Sequence, residues 1–304
     1  MKVVYIILIL FVSGKIFPQE TQDIIIKLLD AEDSTSVKYA EVFSSSHRIS
    51  IVSDSSGLLF LEINKSFEND TLIISHVSYK TKIIPIKKLL YVDSTKFNIY
   101  LKKQTYILQN VTISSNNKNK KIKYLTIGPF KGHKKVYNSF NMPEREVALY
   151  FPNNSMQKEK YLSEISFYIY RLKSNYKFRL KIYDADDKKY PNKLLLNKDL
   201  IYNVTRQNLI TVNIYDYYIK IPDNGIIISI EWLSDNNNKY SVDNTDKNNS
   251  CPIMGGIIIP KKNKKYLEYC TLFRYKNKWM KFGNVKTAYN WLFPAIKLKI
   301  YEEK

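Results

Sequence analysis

The chain has 304 residues and a formal net charge of +20, from 48 Lys and Arg against 28 Asp and Glu. At 44% hydrophobic and 25% charged it is ordinary globular material, which excludes wholesale disorder, and its length favours two domains over one. The charge does not make it a nucleic-acid binder: most of the excess is Lys spread singly along outward strand positions and in Asn-rich loops, and no nucleic-acid-binding motif is present.

In chain order, the first element is a targeting segment. Lys2 is followed by an apolar stretch from Val3 to Val12, interrupted only by Tyr5, before polar character returns at Ser13, Gly14 and Lys15. Residues 1–19 therefore read as a cleaved signal peptide, too short for a bilayer core of about 30 Å. No second apolar stretch is long enough to span. The expectation is an exported chain, periplasmic, outer-membrane associated or on the cell surface, with at most peripheral membrane attachment.

From Asp23 to Ser114 short apolar runs alternate with polar turns, the signature of strands and hairpins. The strands expected are Asp23 to Leu29, Ala40 to Ser44, Ile49 to Ser53, Leu58 to Ile63, Thr71 to Ser75, Lys82 to Ile86, Phe97 to Leu101 and Val111 to Ser114. Ile86 to Leu90 fits one turn of helix. Asp54-Ser55-Ser56-Gly57 is a turn with a mechanism, since Asp and Ser bond the local backbone and Gly accepts positive φ.

The order Ala40-Glu41-Val42, SDSSGLLFLEI from Ser53, DTLIISHVSYKTKIIPI from Asp70 and FNIYLKKQTYILQNVTIS from Phe97 resembles the carboxypeptidase regulatory-like domain. Ser78 stands where that family usually has Gly before Tyr79, and the early Gly of its first strand is absent around Lys27. The resemblance covers residues 20–114. It implies a seven-stranded, transthyretin-like sandwich acting as a structural or interaction module of a bacterial envelope, not a carboxypeptidase.

SSNNKNKKIK, from Ser114 to Lys123, has no apolar period, so residues 115–126 read as a linker. A second domain follows over 127–304. In KFRLKIY, Phe178, Leu180 and Ile182 point one way while Arg179, Lys181 and Tyr183 point the other, as a half-buried antiparallel strand requires. The pattern recurs at Ile165, Phe167 and Ile169, at Ile226, Ile228 and Ile230, and at Ile296, Leu298 and Ile300. Further runs at Val147 to Phe151, Leu209 to Ile214, Gly256 to Ile259 and Tyr269 to Phe273 close a jelly-roll-like β-sandwich, making the chain all-β. FRLKIYDADDKKYPNKLLL, TVNIYDYYIKIP and GIIISIEWL resemble the sandwich that follows the regulatory-like domain in Bacteroidota envelope proteins, and adhesin-like and carbohydrate-binding sandwiches.

No constellation for catalysis stands out, so the expectation is a non-enzymatic protein. His47, His76 and His133 fall in different elements, and neither a Gly-x-Ser-x-Gly elbow nor His-Glu-x-x-His occurs. The competing reading is a glycan-active hydrolase, for which Glu164 and Glu231 are the carboxylates to name. Asp184, Asp186 and Asp187 crowd one turn as oxygen ligands that calcium takes, without the spacing of a defined loop motif; a solvated hairpin turn competes. Cys251 and Cys270 either pair, closing a loop of about 20 residues, or remain buried thiols. Among many aromatic side chains, Tyr215, Tyr217, Trp279 and Trp291 are the candidates for stacking on a ligand. The partner expected is a polysaccharide, acidic by charge attraction, or an envelope protein.

Overall fold

The alternation read in KFRLKIY becomes a strand whose even-numbered side chains fill a core, and the same rule builds the molecule. The computed structural model describes residues 21–46, 49–92, 94–104, 122–130, 135–141, 146–153, 158–170, 176–205, 208–233, 253–275, 278–282, 285–287 and 290–303. The segment read as a signal peptide, the strand expected at Val111 to Ser114, His47 and His133 lie outside the described residues.

A first sandwich is made by β1 (Thr21–Asp30), β2 (Glu41–Ser44), β3 (Ser50–Val52), β4 (Leu58–Asn64), β5 (Thr71–His76), β6 (Tyr79–Pro85) and β7 (Lys96–Leu101). The short helix α1 (Lys87–Leu90) lies between β6 and β7. One sheet has the order β4-β1-β7, with β1 and β7 parallel, and the other has the order β3-β2-β5-β6. Alternate residues of β1, Ile24, Ile26 and Leu28, meet Leu59, Leu61 and Ile63 of β4 and Leu72 and Ile74 of β5 in one core. The Asp54 turn forms as its residues dictate: the Asp54 carboxylate accepts from the N–H groups of Ser56 and Leu58, and Gly57 has φ +77°.

The second sandwich comprises β8 (Ile122–Ile127), β9 (Lys135–Asn141), β10 (Glu146–Phe151), β11 (Lys160–Tyr170), β12 (Tyr176–Ala185), β13 (Pro191–Leu194), β14 (Leu200–Val204), β15 (Asn208–Asn213) and β16 (Ile226–Leu233). It continues with β17 (Ile253–Pro260), β18 (Cys270–Tyr275), β19 (Lys278–Lys281), β20 (Val285–Thr287), β21 (Asn290–Pro294) and β22 (Ile296–Glu303). A seven-stranded sheet runs β13-β12-β16-β10-β18-β19, with β14 also on β12. An eight-stranded sheet runs β20-β21-β17-β11-β22-β8, with β15 also on β11 and β9 on β17. Inward residues of both sheets share one core, where Phe167 of β11 meets Phe178 of β12 edge to face at 4.9 Å.

The fold is thus all-β, and the described residues build two sandwiches. One sequence reading is corrected: Ile122 to Thr126, assigned to the linker, belongs to β8, which pairs antiparallel with β22. Its largely exposed residues, with Lys123 among them, suit its place at a sheet edge, where charge discourages pairing with another chain. Among the described residues no helix is long and apolar enough to cross a membrane.

Entry into the central strand β16 depends on Gly225, at φ +91°, where an added Cβ would lie 2.5 Å from the Phe151 carbonyl oxygen. Gly225→Ala is expected to cost about 1–3 kcal/mol, read as a lower urea midpoint. Gly255→Ala, at ordinary φ and facing only the Tyr168 side chain and carbonyl, is expected to cost less.

Candidate functional site between the sandwiches

The odd-numbered, outward residues of β12 are not in water. Arg179 is 1% exposed and Lys181 4%, as buried as core Leu, because the first sandwich lies over this face. Strand register sets out the charges beneath it. Arg274 of β18 stands opposite Glu146 of β10, Glu146 opposite Glu231 of β16, and Glu231 opposite Arg179 of β12. The row therefore reads cation, carboxylate, carboxylate, cation across four neighbouring strands, and β19 extends it with Trp279 opposite Arg274.

Two carboxylates directly opposite on adjacent strands repel. Lys181, two residues along β12 from Arg179, resolves the conflict: its Nζ lies 3.2 Å from Glu146, 3.0 Å from Glu231 and 2.5 Å from Glu41 of the first sandwich. Arg274 bridges the same two layers, 2.6 Å from Glu41 and 3.2 Å from Glu146. The hydroxyls of Ser229 and Tyr183 donate to Glu146 at 2.6 and 3.2 Å. Burial acts against each carboxylate, yet the Arg274 and Lys181 cations hold Glu41 far below its usual range, and they lower Glu146 as well. Glu231 goes the other way: burial, with Glu41 and Glu146 nearby, pushes it up despite Lys181 and Arg179.

At the far side Arg179 donates through Nε to Asp199 at 2.6 Å, through one terminal nitrogen to Glu231 at 3.1 Å and through the other to the Tyr39 carbonyl at 2.6 Å. His76 of β5 meets Asp199 at 3.2 Å; its Nδ1 accepts the Ser78 N–H, which assigns the proton to Nε2, the donor to Asp199. Burial works against the Asp199 carboxylate, but His76 and Arg179 still bring it below its usual range. Tyr39 holds φ +54°, uncommon for a bulky residue, and in that conformation its carbonyl meets Arg179 while Lys177 donates to its hydroxyl at 2.7 Å.

Beside this network a cleft of about 390 Å³ opens between β2 and β5 on one side and β12, β13, β18 and β19 on the other. Glu41 and His76 line it from the first sandwich, and Lys181, Arg274, Tyr183 and Trp279 from the second. Trp279 is half-buried and meets the Tyr183 ring edge to face at 6.1 Å.

Of the candidates named from sequence that lie among the described residues, only Trp279 lines this cleft; it sits on β19 and Trp291 on β21. Trp291 packs on Phe293 in the eight-stranded sheet. Tyr215 leans on Tyr301, and Tyr217 packs on the core with Lys198 over its ring. In the acidic turn each carboxylate accepts from a protein donor: Asp186 from the N–H groups of Lys188 and Tyr190, Asp184 from the N–H of Lys193, and Asp187 from Asn224. Among the described residues no group of three His, Cys, Asp or Glu is placed to hold a metal. Cys270 is a free thiol, raised by burial, and Cys251 lies outside the described residues. Glu164 pairs with Lys299 on the other sheet, so it and Glu231 are not brought together. Arg179, Lys181, Glu146 and Arg274 do not stand out in the sequence; the available signal is full charges at outward positions of strands whose inward positions are mostly apolar.

Lys181→Met leaves three carboxylates without their shared cation, so a loss of about 3–5 kcal/mol is expected in chemical denaturation. Lys220→Met, which removes an exposed pair with Glu159, is expected to leave the curve unchanged. Glu41, Glu146 and Asp199, all lowered on folding, contribute stability that is complete above the usual carboxylate range and lost as pH falls; Glu231, raised, has the opposite sign and offsets part of it. The melting midpoint should fall as pH drops from about 5 towards about 3, and a midpoint that rises over this range would contradict the assignment.

No protein-family model matches the chain, and no curated protein does. Among solved structures it is similar to the clostridial cysteine protease Cwp84 after propeptide cleavage, at 13% identity and TM-score 0.38, over 60% of this chain and 40% of that one. It is also similar to the cysteine protease and lectin-like domains of Cwp84, a surface layer associated protein of Clostridium difficile, at 14% identity and TM-score 0.33, over 53% and 32%. A third likeness, to infectious bursal disease virus Gx strain, has 8% identity and TM-score 0.26 over 93% of this chain and 60% of that one. The chain spans less than half the length of either Cwp84 structure.

Proposed function

We propose that the chain is a non-catalytic cell-envelope protein that binds a segment of polysaccharide in the cleft between its two sandwiches. The observation that carries this reading is the cleft itself, with one wall from each sandwich and the Trp279 and Tyr183 rings beside fixed hydrogen-bonding groups. Concave sites with a few convergent polar groups on a rigid frame are where small ligands bind, and ring faces suit the apolar faces of sugars. The seven described strands of the first sandwich, in sheets of three and four, support reading residues 20–114 as a carboxypeptidase regulatory-like module. Export to the periplasm or outer membrane rests on the apolar segment after Lys2.

The hydrolase reading finds less support. Glycoside hydrolysis needs two carboxylates about 5–9.5 Å apart across the scissile bond. Glu164 and Glu231 lie on different sheets, and Glu231 is engaged by Arg179 and Lys181. A glycan array probed with the full chain tests the reading. Trp279→Ala is expected to weaken a positive signal at least about tenfold, while Trp291→Ala and Tyr215→Ala leave it unchanged. Release of shorter products from any bound glycan would overturn the non-catalytic half.

A further inference from the structure

We infer that the cleft takes a short neutral saccharide rather than an acidic polymer; this rests on the binding reading above and specifies its ligand. The +20 charge of the chain argues for an acidic partner only if that charge is present where the ligand sits. The walls of the cleft carry Arg179, Lys181, Lys193 and Arg274 against Glu41, but the three cations other than Lys193 are already paired there with Glu41 and, behind the lining, with Glu146, Glu231 and Asp199. Arg179, Lys181 and Arg274 are matched by Glu41, Glu146, Glu231 and Asp199, one more carboxylate than cation, all within one connected network. An incoming carboxylate or sulfate would have to compete with carboxylates already held at hydrogen-bond distance. It would also exchange bulk hydration for a low-dielectric floor carrying no surplus positive charge. Lys193 lines the cleft but is exposed, where water and salt screen it.

Neutral hydroxyls face no such obstacle. Each hydroxyl both donates and accepts, so it can use the remaining edge of Glu41 or Arg274, the part-exposed pair in the cleft wall, without breaking that pair. Charge-assisted bonds already fix those side chains, so little conformational freedom remains to be lost on binding. Ser75 and Asn192 add uncharged polar groups to the same walls, and Trp279 and Tyr183 supply ring surface. Small-molecule sites run from about 300 to 1,000 Å³, and about 390 Å³ suits a short stretch of sugar rather than a long chain.

Calorimetric titration of the full chain decides the matter, with maltohexaose, cellohexaose, mannohexaose and chitohexaose as neutral probes and hexagalacturonate and a heparin hexasaccharide as acidic ones. Each is run at about 0.05 and about 0.3 M NaCl, on either side of the ionic strength where the Debye length is about 10 Å. The expected result is binding of at least one neutral probe, with affinity changing less than about twofold between the two salts and falling at least about tenfold in Trp279→Ala. Trp279→Phe, which keeps a ring and the strand, should retain most of the affinity, separating loss of stacking from loss of fold. Preferential, Trp279-dependent binding of an acidic probe would overturn the inference while leaving the cleft as the binding site. Absence of Trp279-dependent binding by both sets would overturn the inference and the binding reading together.

Discussion

The structure depends on one lysine among three carboxylates. Cross-strand register sets Glu146 against Glu231 on adjacent central strands, an arrangement that repulsion disfavours on its own. Lys181 makes it tolerable by touching both and reaching Glu41 on the other sandwich. The first sandwich therefore takes part in the charge pairing on the second sandwich's outer face, through Glu41. Such a network is a poor source of net stability, because desolvating each ion costs about as much as pairing recovers. It restricts geometry instead: an apolar face tolerates sliding and rotation, whereas Arg179 on the Tyr39 carbonyl and Arg274 on Glu41 are satisfied in one orientation. The cleft inherits that orientation, since its two walls belong to different sandwiches.

The same register protects the core. Inward Phe178, Leu180 and Ile182 alternate with outward Arg179 and Lys181, so a slip of one residue would drive two cations between the sheets. The strained Tyr39 backbone belongs with this constraint, because contacts to Arg179 and Lys177 hold its φ at +54° from the opposite sandwich.

Much of the fold is legible in the sequence because period-two alternation is local. β12, β16 and β22 appear where the sequence alternates, the Asp54 turn forms by its named bonds, and Trp232 faces the core while its neighbour Glu231 faces out. What alternation cannot report is what covers a face. Arg179 and Lys181 read as solvated charges because period two distinguishes inside from outside within a sandwich and is silent about a second sandwich laid on top. The short strands β13 and β19 escape for a related reason: Pro191-Asn192-Lys193-Leu194 has turn composition, and its pairing to β12 is set by tertiary contact. β8 reads as linker because the polar run SSNNKNKKIK extends into its first two residues, and exposed polar composition is shared by loops and edge strands.

The aromatic candidates show the same limit from another side. Tyr215, Tyr217 and Trp291 attract attention as rings near loops, but each rests against other side chains of its own sandwich. Tyr183, which does line the cleft, reads in the sequence only as the outward member of a strand; it becomes part of the site because Glu146 accepts its hydroxyl and Trp279 meets its ring. Electrostatics follows that pattern too. A net charge of +20 describes the field far from the molecule, which governs encounter. Recognition happens within a few ångströms, and there the register of four strands has already matched the cations to carboxylates. The surface charge and the charge the cleft presents to a ligand are therefore separate quantities, and only the second is set by the fold.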